Sequence, residues 1–366
     1  MHALVLAAGF GTRLWPLTAD RTKPAVPFLG RPLVVHALSA LARLGVVEAA
    51  VNLHYHPESV RAALRDLPAG LPAVRFSPEP VILGTAGAMD PLRGFLERAP
   101  GPFVLMNGKV VCDLDLDPAL AAHRAVGAIA TLVLVENVRR EPFREVLVHP
   151  DGRLAGFGAM PGAAPPGAGE ARPPLAFTGI QFLDPAILDY VPRGTPSDTV
   201  RDAYPRAMAD GRTLLGVVAR GLWEELSTPR RYLEAHLAAL GRRPAPPGAD
   251  GPDRFVAVGS AIAPGARVAR AVLWPGARVE AGAAVEDAVL GEGVVVPRGV
   301  RLAGGVAVRA AIADRTPDPL AGPGRPPRGH RVGDLLFVPF DKAGEDERRQ
   351  ALTGAGAGGA LTGAPT

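Results

Sequence analysis

Between Phe255 and Val308 an aliphatic residue returns every six positions for part of the run, at Ile262 and Val268 and then, after a local slip, at Leu273, Val279 and Val285. Pro264-Gly265, Pro275-Gly276, Gly282, Gly293 and Pro297 fall at turn positions between them. Neither an α-helix nor a flat strand has this period. Each six-residue unit resembles one side of the three-sided coil of a left-handed parallel β-helix, the other reading being an irregular Gly/Ala loop. At about eighteen residues per coil the segment makes about three coils.

The residues before about position 240 follow another rule. Short apolar runs alternate with helical patterns, the signature of an α/β, Rossmann-like, mostly parallel sheet. Strands are expected over Ala3 to Ala7, Val46 to Leu53, Phe103 to Met106, Ile129 to Val135, Phe177 to Phe182 and Leu214 to Val218. Between the first two, Leu33, Val34, Ala37, Leu38, Leu41 and Leu44 recur at helical spacing, and Gly45 follows as a stop. The expected organisation is therefore an α/β domain over 1–241, a Pro/Gly-rich linker over 242–253, the β-helix over 254–312 and a Pro/Gly-rich, largely disordered tail over 313–366. Within the tail, Leu335 to Phe340 is apolar enough to dock as an edge segment. Pro161 to Pro174 is almost wholly Ala, Gly and Pro and reads as a surface loop with the reach of a lid.

Composition excludes several function classes. Net charge is only +4, and the basic residues are scattered, with no runs carrying interleaved aromatics, so nucleic acid is not an expected partner. No apolar run approaches the roughly 18 residues that cross a bilayer, and Met1-His2 leads straight into the first apolar run without a basic leader. The single cysteine, Cys112, cannot close an internal disulfide and suits the reducing cytoplasm. Of the 40 basic residues only Lys23, Lys109 and Lys342 are lysine, so each asks for a specific reason.

The first strand runs into Ala7-Ala8-Gly9-Phe10-Gly11-Thr12-Arg13, with Pro16, Thr18 and Lys23-Pro24 beyond. Two glycines just after a strand let the backbone approach a phosphate chain and turn N–H groups toward it, while arginine adds a charge-assisted fork. A nicotinamide fingerprint would place a third glycine at 14, where leucine stands, and Walker spacing is absent. The ensemble resembles the nucleotidyltransferases that join a sugar 1-phosphate to a nucleoside triphosphate. The resemblance implies that Ala7, Ala8, Gly9, Gly11, Thr12 and Arg13 hold the triphosphate and that Lys23 faces its reacting end.

It continues through Ser77-Pro78-Glu79 and Leu83-Gly84-Thr85-Ala86-Gly87-Ala88, similar to the family's base-recognition segment, where Gly84 and Thr85 open a helix with free N–H groups. Phe177-Thr178-Gly179-Ile180 resembles the strand that approaches the sugar. Trp223-Glu224-Glu225-Leu226-Ser227-Thr228-Pro229 resembles the closing segment that carries an acidic metal ligand, here Glu225, which also faces the sugar phosphate. Glu145, in the charged stretch after Arg139, is expected within reach of sugar hydroxyls. His54 and His56 share a metal-compatible spacing but lack a third ligand, and are expected in a strand-end loop.

Two positions depart from the family: glutamate stands at Glu225 where aspartate is usual, and the second departure matters more. Asn107-Gly108-Lys109 stands where the pattern is Asn-Gly-Asp and the aspartate holds magnesium. An ammonium and a divalent ion about 4 Å apart repel by roughly 8 kcal/mol at an effective dielectric of about 20. Three readings stay open: Lys109 is itself the fixed cation at the reacting phosphate, with Mg2+ arriving on the triphosphate; the chain is a catalytically impaired nucleotide-sugar-binding subunit; or the register is shifted and Asp113 or Asp115 is the ligand. Arg13, Lys23 and Lys109 are the expected catalytic cations, Asn107 joins the nucleotide contacts, and GTP with a mannose- or heptose-type sugar 1-phosphate is the expected pairing. About three coils without a histidine are too short and apolar for acyl transfer, and a homo-oligomer through the β-helix is expected.

Overall fold

Seven strands build the main sheet of the computed structural model, which describes residues 1–98, 100–158, 173–242, 248–316, 318–319 and 328–340. They are β1 (His2–Leu6), β2 (Glu48–Leu53), β3 (Ala73–Pro78), β4 (Phe103–Asn107), β5 (Ala130–Glu136), β6 (Leu175–Leu183) and β7 (Leu214–Val218), in the order β7-β5-β6-β4-β1-β2-β3. Only β6 runs antiparallel to its neighbours. Six of these are the apolar runs expected from the sequence. The seventh, β3, escaped because it lies at the sheet edge, half-buried, where Arg75 and Ser77 break the apolar run. Helix α1 (Leu33–Arg43) covers β1 and β2 with its buried Val34, Ala37, Leu38 and Leu41, and Gly45 leaves it at φ 75°.

Strand order reverses beside β1. The chain leaves β1 toward β2 on one side and returns later as β4 on the other, so the segments that follow β1 and β4 face one crevice. Leu6 pairs with Asn107 at that end. The residues following each are therefore held close by backbone pairing, whatever their side chains.

The coil region is a parallel β-helix with a coil of seventeen residues, where eighteen was expected. Val268 pairs with Val285 and Val285 with Leu302, and on the next side Ala261 pairs with Arg278 and Arg278 with Val295. The slip between Val268 and Leu273 is thus a constant feature of every coil. One side of each coil is a residue short, and its corner residue is left-handed, at Arg270 (φ 48°), Asp287 (φ 46°) and Gly304 (φ 66°), as are the corner glycines of the other sides. Val268, Leu273, Val279, Val285, Leu290, Val296 and Leu302 fill the coil interior.

The two halves share a core. Helix α2 (Pro229–Leu240) lays Tyr232 and Leu233 against Val272, Trp274 and Val289 of the coils. Trp274 Nε1 donates to the Tyr232 hydroxyl at 2.8 Å, and Arg21 reaches Glu292 at 2.6 Å. The tail expectation needs correction over the described residues 313–316 and 328–339. A helix covers Ala310–Arg315, and Leu335–Pro339 pairs antiparallel with Arg301–Arg309, burying Leu335, Leu336 and Phe337 over the last coil. The apolar island docks on its own chain because the last coil otherwise leaves an apolar end in water. The candidate lid up to 172, the core of the linker at 243–247 and the final stretch at 341–366 lie outside the described residues.

Candidate active site

Beyond β1 the chain must turn within a few residues. Gly11 adopts φ 66°, and a Cβ there would stand 3.0 Å from Thr18 Cγ2 and 3.1 Å from Lys23 Cβ, so both conformation and space demand glycine. The loop is pinned through its carbonyls: the Thr22 hydroxyl donates to Ala7 O and Gly9 O, and the Thr18 hydroxyl to Gly11 O. Above it opens a cleft of about 330 Å³. Of the residues expected at the site, Ala8, Gly9, Gly11, Thr12, Arg13, Lys23, Gly84, Thr85, Asn107 and Lys109 line it.

At the β4 end of this cleft the charges converge on a single atom. Glu225 Oε1 lies 2.6 Å from Lys109 Nζ, 3.8 Å from Lys23 Nζ and 3.8 Å from Arg13 Nη2. The short strand Trp223–Glu225 pairs antiparallel with Val110–Cys112, setting Glu225 opposite Val110 and beside Lys109. Burial, reinforced by the Lys109 charge and only partly offset by Glu225, lowers the pKa of Lys23 to about 7. Burial alone would push the Glu225 carboxyl up, but Lys109, Lys23 and Arg13 hold it far below the usual carboxylate range. Three cations against one carboxylate leave the cleft electropositive, which favours an anionic ligand.

The residues present do not fit a protein-held divalent ion. Glu225, expected as the metal ligand, is the counter-ion of an ammonium, and no group of three or more His, Cys, Asp or Glu side chains with metal-binding geometry occurs among the described residues. The shifted-register reading also falls. Asp113 accepts from Leu222 N, Asp115 accepts from Asp117 N, and neither lines the cleft.

A profile of the Nucleotidyl transferase family matches residues 2–241. The chain belongs to this family. It is 30% identical over 243 residues to a mannose-1-phosphate guanyltransferase of Schizosaccharomyces pombe, covering 64% of this chain and 62% of that protein. The chain thus spans less than two thirds of that relative. It is 29% identical over 315 residues to probable mannose-1-phosphate guanylyltransferase 1 of Oryza sativa subsp. japonica, over 76% of this chain and 83% of the relative. In three dimensions HddC from Yersinia pseudotuberculosis, solved in complex with GMP-PN, matches with a TM-score of 0.53 at 20% identity, over 64% of this chain and 97% of that one, a likeness of fold.

Against the nucleotidyl transferase pattern, the remaining expected residues divide into those that shape the cleft and one that is remote. Ala7 N donates to Asn52 Oδ1 at 2.6 Å, Asn52 Nδ2 donates to Glu79 Oε1 at 2.8 Å, and Leu83 N donates to Glu79 Oε2 at 3.0 Å. Each oxygen of buried Glu79, expected to touch nucleotide, thus accepts one hydrogen bond that ties the segment before Gly84 to the glycine loop through Asn52. The helix at Gly84–Gly87 is a single turn, and the Ala86 and Gly87 N–H groups donate to Ser197 O, so these two are not the free donors expected. Gly179 (φ 79°) lies in the irregular stretch of β6, where a Cβ would fall 2.1 Å from Asn107 Nδ2. The missing side chain leaves room for Asn107. Glu145 pairs with Ala176 in an isolated bridge and does not line the cleft, so its expected reach is not seen.

Sequence reasoning missed Asn52 and Ser227 as cleft residues. Asn52 had a signal: it is the one polar residue inside the buried half of β2. Trp223, whose indole N–H donates to Thr178 O at 3.0 Å, locks the closing segment to the β6 irregularity.

Proposed function

We propose that this chain is a nucleotidyltransferase joining a nucleoside triphosphate, GTP before others, to a mannose- or heptose-type sugar 1-phosphate. A sugar-phosphate oxygen attacks the α-phosphorus in line, the α–β bridging P–O bond breaks, and pyrophosphate leaves along Gly9 to Arg13. The nucleophile is already ionised near neutral pH, so positioning and fixed charge supply the rate enhancement and no general base is required. The observation that carries this reading is the convergence of Arg13, Lys23 and Lys109 on one carboxylate oxygen beside a glycine loop. Guanine and mannose are favoured by the names of the relatives and by the local likeness of Thr18, Asn52 to His54 and Leu83 to Ala88. Any magnesium in the reaction travels with the triphosphate.

Lys109 also supports a second reading, a subunit that binds nucleotide sugar without turnover. One experiment separates them. Purified protein given GTP or UTP with mannose, glucose or heptose 1-phosphate releases pyrophosphate under the first reading. Absence of pyrophosphate from every pairing, with nucleotide sugars still raising the melting temperature, gives the second.

A homo-oligomer through the coil stack belongs to the same proposal. Val258 is 95% and Val295 44% exposed on the coils, and light scattering of the purified chain tests whether such faces are covered. A cytoplasmic location fits the unpaired Cys112. No helix among the described residues is long and apolar enough to cross a membrane.

A further inference from the structure

The misfit between the cleft and a metal ion has a specific shape. Gly108 N donates to Leu6 O at 2.9 Å, and a Cβ on Gly108 would meet Leu6 O and Val5 Cγ1 at 3.0 Å. The turn after β4 is therefore clamped on β1, and Lys109 leaves it from a fixed point. Its ammonium reaches Glu225 Oε1 at 2.6 Å while remaining 29% exposed along the cleft. A magnesium ion on that oxygen would sit about 2.1 Å away and would share the space of Nζ. An ammonium has three N–H donors, one of which Glu225 takes, leaving donors for phosphate oxygens.

We infer that Lys109 performs, in this chain, the charge-stabilising task of a protein-held metal at the reacting phosphate, that Glu225 is its positioning residue, and that the cleft grips a polyphosphate without any divalent ion. This rests on the reading of the cleft as a nucleotide site and deepens it: the ligand class is the free, unchelated polyphosphate of a nucleotide or nucleotide sugar. A chelated triphosphate arrives with part of its charge already neutralised and gains less from three fixed cations.

Calorimetric titration of the full chain with GTP, and with UTP and ATP in parallel, is run first with EDTA and then with excess magnesium chloride. Binding in EDTA as tight as with magnesium, or tighter, is expected. Lys109→Arg should keep this behaviour, because the charge is kept. Lys109→Asp should bind only with magnesium, losing about tenfold or more in EDTA, and should take up manganese visible by electron paramagnetic resonance. Glu225→Gln should separate two quantities that a merely structural residue moves together: nucleotide binding tightens because the counter-charge is gone, while turnover falls because Lys109 is no longer aimed. A native chain that needs magnesium by about tenfold or more to bind nucleotide overturns the inference and leaves the nucleotide site standing. No binding of any nucleotide, with or without magnesium, overturns both. Should Lys109→Asp fail to fold by circular dichroism, the native titration and Lys109→Arg still decide.

Discussion

In the cleft, Arg13, Lys23 and Lys109 crowd around one carboxylate oxygen, and the Lys23 and Glu225 side chains keep only 8% and 12% of their surface in water. In the coil stack, seventeen residues repeat with Val, Leu and Ala inside, and charged partners such as Arg270 and Asp287 meet at an exposed corner. The first arrangement costs folding free energy, since buried charge is repaid only by good pairing and like charges here outnumber their partner. The second supplies it, each buried Val or Leu contributing about 1.5–3 kcal/mol. Substitutions in the two regions should therefore act with opposite signs on stability and unequally on binding.

The largest expected effect is at Lys23. Lys23→Met removes a buried cation and keeps the volume, so turnover should fall by about a hundredfold or more while the protein gains about 1 kcal/mol of stability. Pyrophosphate release and urea unfolding measure the two. A lower unfolding midpoint would show that the cleft stabilises the fold and would break the contrast. Leu290→Ala is the mirror case. Leu290 is fully buried in the coil interior, so the cavity should cost about 2–4 kcal/mol, with the Kd for GTP unchanged.

A smaller effect comes from pH. Lys23 has its pKa lowered from 10.5 to about 7, so its charge is present below pH 7 and lost as pH rises through it. Nucleotide affinity should fall over the same rise, by severalfold, and titrations at successive pH values in native and Lys23→Met protein test this. Stability moves the other way. Between about 7 and 10.5 the unfolded chain holds a proton that the folded one has released, so this group makes stability increase with pH across that window. A pH-independent difference between the two proteins would place the Lys23 pKa elsewhere.

How much of this was legible beforehand follows the same division. The coil periodicity, six of seven sheet strands and the glycine loop were readable because each is a local pattern of side chains in sequence. Even the shortened coil side was visible, as the slip after Val268, but one slip looks like an irregularity until the corners at 270, 287 and 304 repeat it. The closure of Glu225 by Lys109 was not readable, since the two are 116 residues apart and meet only because Trp223–Glu225 pairs with Val110–Cys112. Sequence marked both residues as unusual and expected a metal on Glu225, where the structure places the Lys109 ammonium. Glu79 is a related case: its motif identified the segment, but its bond to Asn52 depends on a residue from a neighbouring strand.

The smallest effect tests the corner itself. Arg270→Ala and Arg270→Gly both delete the exposed pair with Asp287, worth about 0.5 kcal/mol and screened by salt, so that loss cancels between them. What differs is the left-handed backbone at position 270, which costs an L-residue about 1–2 kcal/mol and glycine little. The glycine variant should therefore be the more stable by about 1 kcal/mol in urea and at least match the native protein, and Gly304 already takes this corner two coils on. Equal stability of the two would mean that the corner bears no strain. The seventeen-residue coil would then be held by its interior alone, and the contrast with the cleft, where fixed geometry is maintained against a cost, would be wider still.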